Sequence, residues 1–264
     1  MTYCLGIKVK QGLIALSDSR ITSGNETTNS KKISTHRYGN NNIFLMTSGL
    51  RSIRDKAVTY FEEVLEEESF KFTKMYEAVN AFGQLLRRVA MEDRQAIQNS
   101  GLFFNLNTIV GGQLEGDKEH KLYLLYPEGN WIEIGTATPF TIIGNSGYGT
   151  PILRRTVNYE SDLQFALKTA FLSFDSTRVS ANDVGYPLDI VLYRSNSFNM
   201  EEYRLEYEDM APISNKWADI LTEGIDALPT NWMESMFPLN QNQFQNQMQQ
   251  SNQNQFYNNN IQQF

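Results

Sequence analysis

The sequence predicts an α+β fold in which two β-sheets pack face to face and helices cover the outside. Three observations lead there. Strand-like and helix-like segments alternate in blocks: strands, two helices, strands, a helix, strands, a last helix. Several strands are apolar throughout, as in Leu13-Ile14-Ala15-Leu16 and Ile190-Val191-Leu192, so they need cover on both faces. The helical stretches are amphipathic, with one apolar side to lay on a sheet.

The elements follow in order. Tyr3–Val9 and Leu13–Asp18 flank a Lys10-Gln11-Gly12 turn and form a hairpin. Ile21–Ser30 is polar, with Gly24 and several Asn and Thr residues, and reads as a connection. Lys32–Thr35 and Ile43–Thr47 form a second strand pair across Tyr38–Asn42. Ile53, Ala57, Val58, Phe61, Val64 and Leu65 repeat at helical spacing. So do Met75, Val79, Phe82, Leu85, Leu86 and Val89, with Thr73 as the N-cap. Strands return at Leu106–Gln113, Lys121–Tyr126, Asn130–Ile134 and Phe140–Gly144. A helix over Asp162–Phe174, strands Leu188–Tyr193 and Glu202–Tyr207, and a helix over Ile213–Leu228 complete the pattern. From Asn240 to Phe264, 18 of 25 residues are Asn or Gln and none is charged, so this tail cannot build a core. The expected division is one folded domain over residues 2–237 and a disordered appendage over 238–264.

Composition narrows the chemistry. A net charge of −7, with no basic block, argues against nucleic acid or an anionic membrane surface as partner. No apolar run is long enough to span a bilayer, and no secretory segment precedes the first strand, so a cytoplasmic location is expected. The single cysteine, Cys4, excludes an internal disulfide and reads as a small core residue. The two histidines, His36 and His120, cannot build a Cys/His metal cluster and have no G-x-S-x-G elbow beside them, so they read as surface or satisfied polar residues.

The second residue carries the chemistry. Methionine is trimmed when a small side chain follows, so removal of Met1 is expected to leave Thr2 at the N-terminus. A terminal threonine has a hydroxyl nucleophile and, beside it, an α-amine with a pKa of about 7.7–8.0 that can accept the proton. A turn centred on Lys10–Gln11 pairs positions that sum to about 21, placing Thr2 opposite Asp18 or Ser19 in the run Ser17-Asp18-Ser19-Arg20. The second strand pair brings Lys31-Lys32 and Met46-Thr47-Ser48-Gly49. A lysine there can tune the threonine hydroxyl, Asp18 can hold the lysine, and a Ser-Gly turn lets a backbone N–H reach a substrate carbonyl.

Thr2, Ser17-Asp18-Ser19-Arg20, Lys31-Lys32-Ile33 and Met46-Thr47-Ser48-Gly49, in that order, resemble the β-type subunits of the proteasome and bacterial HslV. The start Met1-Thr2-Tyr3-Cys4-Leu5-Gly6, the phrase from Ile143 to Leu153 (IGNSGYGTPIL) and the phrase from Ser173 to Ser180 (SFDSTRVS) resemble the Anbu, or ancestral β-subunit, family more narrowly. The resemblance implies a four-layer αββα sandwich of the N-terminal-nucleophile hydrolase type. It implies Thr2 as nucleophile, Asp18 as acidic partner, Lys32 as catalytic lysine, Ser48 as oxyanion-hole donor through its N–H, Arg20 as support for the ion pairs, and Asp175 as a second carboxylate joined by Ser176 or Ser180. Asn145 stands where proteasomal subunits carry a serine. The implied activity is a threonine protease that needs no metal or cofactor, acts on peptides or unfolded protein, and works in a homo-oligomeric ring or helical ring; whether an ATPase or adaptor feeds it stays open. Two other readings stay open: a non-catalytic subunit of the same fold, and an amidase for small non-peptide amides. Retention of Thr2, Asp18 and Lys32 together favours catalysis over the first.

Overall fold

The computed structural model describes residues 2–23, 26–39, 41–67 and 72–237. The Asn/Gln-rich tail lies outside them. Contacts divide the chain after Ser214. Up to that point there are twelve strands: β1 (Tyr3–Val9), β2 (Gly12–Asp18), β3 (Arg20–Ser23), β4 (Glu26–Asn29), β5 (Ile33–Tyr38), β6 (Asn41–Gly49), β7 (Leu106–Gly112), β8 (Lys121–Leu125), β9 (Trp131–Glu133), β10 (Phe140–Gly144), β11 (Leu188–Arg194) and β12 (Met200–Leu205). The helices are α1 (Arg51–Glu66), α2 (Met75–Asn99), α3 (Thr150–Thr156), α4 (Leu163–Arg178) and α5 (Tyr207–Asp226), the last of which runs across the division. Beyond Ser214 the described chain holds the rest of α5 and a 3-10 turn, Asn231–Met233.

Two five-stranded antiparallel sheets form, in the orders β10-β1-β2-β11-β12 and β5-β6-β7-β8-β9. Strand alternation explains the layers. Leu5 and Ile7 of β1, Ile14 and Leu16 of β2, and Leu188 and Ile190 of β11 join a core with Leu153 of α3 and Ala166, Ala170 and Phe174 of α4. The opposite faces of those strands carry Cys4, Ala15 and Val191, which meet Phe44 and Met46 of β6 and Ile109 of β7 between the sheets. Ile43 and Leu45 of β6 face outward onto Phe61 of α1 and Val79, Phe82 and Leu86 of α2. The order of layers is therefore helix, sheet, sheet, helix, as the sequence predicts.

Four elements differ from the expectations, the last helix first: α5 starts at Tyr207, in the expected strand and six residues before Ile213, and contains Pro212. The polar stretch before Ser30 is a hairpin, β3–β4, paired Arg20↔Asn29 and Ile21↔Thr28. The segment around Pro151, rich in Gly, forms α3, with proline in its first turn, where a missing N–H costs nothing. Helix α2 starts after Lys74, not Thr73, and the Glu77 carboxylate accepts from the backbone N–H of both residues. It runs on to Asn99, supported by Lys56 of α1, whose Nζ sits 2.7 Å from Glu92 and 2.8 Å from Asp93. No helix among the described residues is long and apolar enough to cross a membrane.

Both histidines are buried, at 6% and 1% exposure, and hydrogen-bonded, so of the two alternatives the satisfied polar one holds and the surface one does not. His120 Nε2 meets the Val9 carbonyl oxygen at 2.8 Å, and His36 Nε2 meets Ser34 Oγ at 2.8 Å. Burial pushes both imidazoles below their ordinary pKa. A folded value below the unfolded one, about 6.5, means the unfolded chain takes up protons first as pH falls. Folding stability is thus expected to hold above that pH and to decline as pH drops from 6.5 through the depressed values. Urea midpoints measured between neutral pH and pH ~5 should show this decline, and His120→Gln should flatten part of it. Equal slopes in both proteins would remove His120 from the account.

Candidate active site

The site lies on one rim of the two sheets, where strand ends meet. Cys4 pairs with Ser17 and Val9 with Gly12, a constant sum of 21, so the register carried one step past β1 puts Thr2 beside Ser19 and next to Asp18. Asp18 is fully buried, and its Oδ1 accepts from the Tyr3 N–H at 2.8 Å and from Lys32 Nζ at 2.6 Å. Lys32 Nζ also donates to the Arg20 carbonyl oxygen at 2.7 Å, which leaves one ammonium proton free of those two partners. Burial pushes the Asp18 carboxyl up, while the charge and hydrogen bond of Lys32, then the N–H groups of Tyr3 and Gly185, pull it down.

Thr2, Arg20, Lys32 and Ser48 line a single cavity of about 370 Å³, together with Gly49, Arg51, Arg54 and others. Thr2, which is half-buried, is pinned through its carbonyl oxygen by the Asn145 N–H at 2.7 Å. Gly144 has φ +87°, and a Cβ there would stand 1.9 Å from the Thr2 carbonyl oxygen. Asn145 thus reaches Thr2 through its backbone, in the position where a serine was looked for. Arg20 Nη1 donates to the Asn182 carbonyl oxygen at 3.1 Å, and its guanidinium lies so close to Gly185 that a Cβ there would be 2.4 Å from Cζ.

Five of the six residues singled out from sequence are accounted for at this rim: four line the cavity and Asp18 holds Lys32 from beneath. Asp175 is not brought to them. It sits in α4, where its Oδ1 takes Arg178 Nη2 at 2.6 Å and its Oδ2 takes Ser214 Oγ at 2.8 Å. The two serines considered with it bond backward along their own helical turns, Ser176 Oγ to the Leu172 carbonyl and Ser180 Oγ to the Ser176 carbonyl, both at 2.9 Å. Sequence reasoning missed the Asn182–Gly185 loop, Arg51 and Arg54. A signal existed for the arginines: β6 ends at Gly49, so the first turn of α1 must open beside Ser48.

Other nucleophiles fare worse. Cys4 is fully buried, and burial raises its thiol well above the ordinary value, so no thiolate forms at neutral pH. His36 stands between Ser34 Oγ and Glu62, the latter at 3.4 Å, which has the connectivity of a hydrolytic triad. Ser34, however, sits inside strand β5 opposite Leu45, with no turn or helix N-terminus at that point to offer oxyanion donors. No group of three His, Cys, Asp or Glu side chains among the described residues could hold a metal ion.

A family model described as "Proteasome subunit" matches residues 2–185. The Anbu (Gly-1) mutant from Hyphomicrobium sp. strain MC1 is 31% identical over 87% of this chain and 99% of that one, with a TM-score of 0.80. Anbu (ancestral beta-subunit) from Yersinia bercovieri is 29% identical over 86% of this chain and 98% of that one, TM-score 0.80. The Anbu complex from Pseudomonas aeruginosa, described as a helical assembly, is 29% identical over 86% of this chain and 97% of that one, TM-score 0.80. No curated protein matches the chain.

Two glycines test the geometry. Gly144→Ala combines a left-handed backbone with a clash against the Thr2 carbonyl, so it is expected to cost about 1–3 kcal/mol of stability and to displace Thr2. Thermal unfolding reads the first effect, and the rate of modification of Thr2 by a β-lactone reads the second. Gly185→Val drives only the end of the Arg20 side chain aside. It should slow modification while leaving the unfolding midpoint nearly unchanged. A normal rate would show that the Arg20 guanidinium has no bearing on the site.

Proposed function

Because the chain belongs to the proteasome subunit family, with Anbu proteins among its relatives, we propose that it is a threonine peptidase that uses Thr2 as an N-terminal nucleophile. One observation carries this reading. Thr2, Lys32 and Ser48 face the same cavity, and the ammonium of Lys32 is fixed from below by the buried Asp18.

In this reading, loss of Met1 frees the α-amine of Thr2. Thr2 Oγ attacks a peptide carbonyl, its proton passes to the α-amine, and a C–O bond forms. Lys32 lowers the cost of the developing alkoxide by its charge, and Arg20 shapes the lysine's surroundings. The backbone N–H of Gly49 donates to the oxyanion in place of the expected Ser48 N–H, which alternation along β6 turns to Asn107, and such a donor contributes roughly 3–4 kcal/mol in sites of this kind. Collapse breaks the C–N bond, and the α-amine hands its proton to the leaving amine. Water, deprotonated by the same amine, then hydrolyses the ester and returns Thr2 Oγ–H. Every proton is accounted for by the chain's own groups and by water. The assembly described for the Pseudomonas aeruginosa relative supports a self-assembled oligomer here too, in which access to an enclosed rim selects unfolded peptide.

Intact mass and N-terminal sequencing, with and without a peptide epoxyketone, test the proposal. The chain should start at Thr2 and gain one probe mass, which Thr2→Ala abolishes. Lys32→Ala should slow modification by about 10²–10⁴-fold, the range for losing a group that assists proton transfer. A chain that keeps Met1, or that is trimmed and stays inert, would leave a non-catalytic subunit of the same fold as the better account.

A further inference from the structure

We propose that the cavity at Thr2 selects peptides with an acidic side chain on the residue whose carbonyl is attacked, and that Arg54 reads that side chain. This rests on the reading of Thr2 as nucleophile and supplies its substrate class. The acyl half of the substrate stays on Thr2 through both steps, so its side chain is the group the cavity must house.

The charge at the rim runs against the charge of the chain. The sequence as a whole carries −7, yet the charged side chains lining the cavity are all cations: Arg20, Lys32, Arg51 and Arg54. Three carboxylates offset them from outside the lining, among them Asp183, which is close enough to Lys32 to interact with its charge. Asp18 holds Lys32, and Asp55 is shared between Arg51 Nε at 3.3 Å and Arg54 Nη2 at 2.6 Å. Arg20 has a backbone carbonyl as partner and, among the described residues, no carboxylate in ion-pair range. Four cations against three carboxylates leave an excess positive field at the nucleophile, and a concave wall concentrates such a field.

Arg54 is placed to use it. Its side chain is 17% exposed, whereas that of Arg51 is 67% exposed, so salt and water screen Arg54 less. Nε and Nη2 hold Asp55, and Nη1 donates to the Lys31 carbonyl oxygen at 3.2 Å. A guanidinium has five N–H donors, so two remain for an incoming carboxylate. Arg54 also borders an adjoining cavity of about 500 Å³. The acids lining that space are engaged already, Asp55 as above and Glu202 with Lys31 at 3.6 Å and with Thr35 Oγ1. A basic substrate side chain would meet an excess of like charge, and an apolar one would strip water from guanidiniums without replacing it.

The test uses the full self-assembled chain and end-blocked peptides that differ only at the residue before a fluorogenic amine: Glu, Asp, Leu or Arg. Matching epoxyketones report modification of Thr2 directly. The acidic members should lead in kcat/KM by about tenfold, the worth of one charge-assisted hydrogen bond, and the lead should shrink as salt is raised. Arg54→Glu should turn the preference towards Arg, a gain that a misfolded variant would not produce. Arg54→Gln should bring the Glu-to-Leu ratio close to one, and an unchanged ratio would overturn the role of Arg54. A wild-type preference for Leu or Arg, with Thr2 still modified, would overturn the acidic reading and leave the nucleophile standing. Cleavage confined to peptides with a free terminal carboxylate would assign the cations to a chain end instead and overturn it too. If no member of the set modifies Thr2, this proposal and the nucleophile reading fall together.

Discussion

The rim is organised by one buried carboxylate oxygen. Asp18 Oδ1 accepts from the N–H that opens β1 and from the ammonium that precedes β5, so it fixes the two sheets to each other beside Thr2. Stability alone does not explain such a pair. Desolvation of two charges consumes most of their attraction, and apolar residues of similar volume often do as well. Breaking one half of the pair, by contrast, costs about 3–5 kcal/mol, because the other charge is stranded. The pair therefore constrains geometry more than it adds stability. It holds Lys32 Nζ against the Arg20 carbonyl and leaves a proton pointing away from both.

The rest of the rim follows from where strands stop. Asp18 ends β2, Ser48 and Gly49 end β6, Gly144 ends β10, and Lys32 and Asn105 stand just before β5 and β7. A strand interior cannot offer a spare backbone N–H, because the ladder uses it. A strand end can: the Thr47 N–H is spent on the Lys32 carbonyl and the Leu50 N–H on the Asn105 carbonyl, so alternation turns the Ser48 N–H to Asn107 and leaves that of Gly49 facing the other way, whereas Ser34, with a histidine and a glutamate in line behind it, has no such neighbour. The alternation of side chains that buries Tyr3 and Leu5 on one face and Cys4 on the other also sets this rim, since a one-residue slip of β1 would exchange the faces.

Much of this was legible in the sequence because hairpin arithmetic is local. The sum of 21 across Lys10–Gln11 needs no tertiary information, and it brought Thr2 to Asp18 and Arg20. Apolar runs announced two covered sheets for the same reason: a strand hidden on both faces has no polar positions to spare. What stayed hidden depended on packing at a distance. The β3–β4 hairpin has no apolar face to betray it, and α3, seven residues long, begins amid glycines and a proline with no run of helical spacing to announce it. The resemblance named Asp175 by residue type, and the turn of α4 sets it against Arg178 and Ser214, contacts that residue types alone do not foretell. Only the assembled fold brings the Asn182–Gly185 loop across to Arg20.

That loop also bears on the serine that Asn145 replaces. The Asn145 N–H is spent on the Thr2 carbonyl, and Gly144 leaves no room for a side chain beside it. Whatever steadies the α-amine side of Thr2 must then come from another wall. The Asn182–Gly185 segment supplies that wall by framing the residues around Thr2: the Asn182 carbonyl holds the Arg20 guanidinium, the Asp183 carboxylate interacts with the charge of Lys32, and the Gly185 N–H favours the ionised form of Asp18. The first and third of these are backbone contacts, which constrain the conformation of the loop more than the side chains that flank Asp183. The exception is Gly185, where any Cβ would strike Arg20. A rim built from strand ends and one backbone-defined loop can exchange a serine for an asparagine at 145 without losing the positions of Lys32 and Asp18, because neither position depends on the side chain at 145.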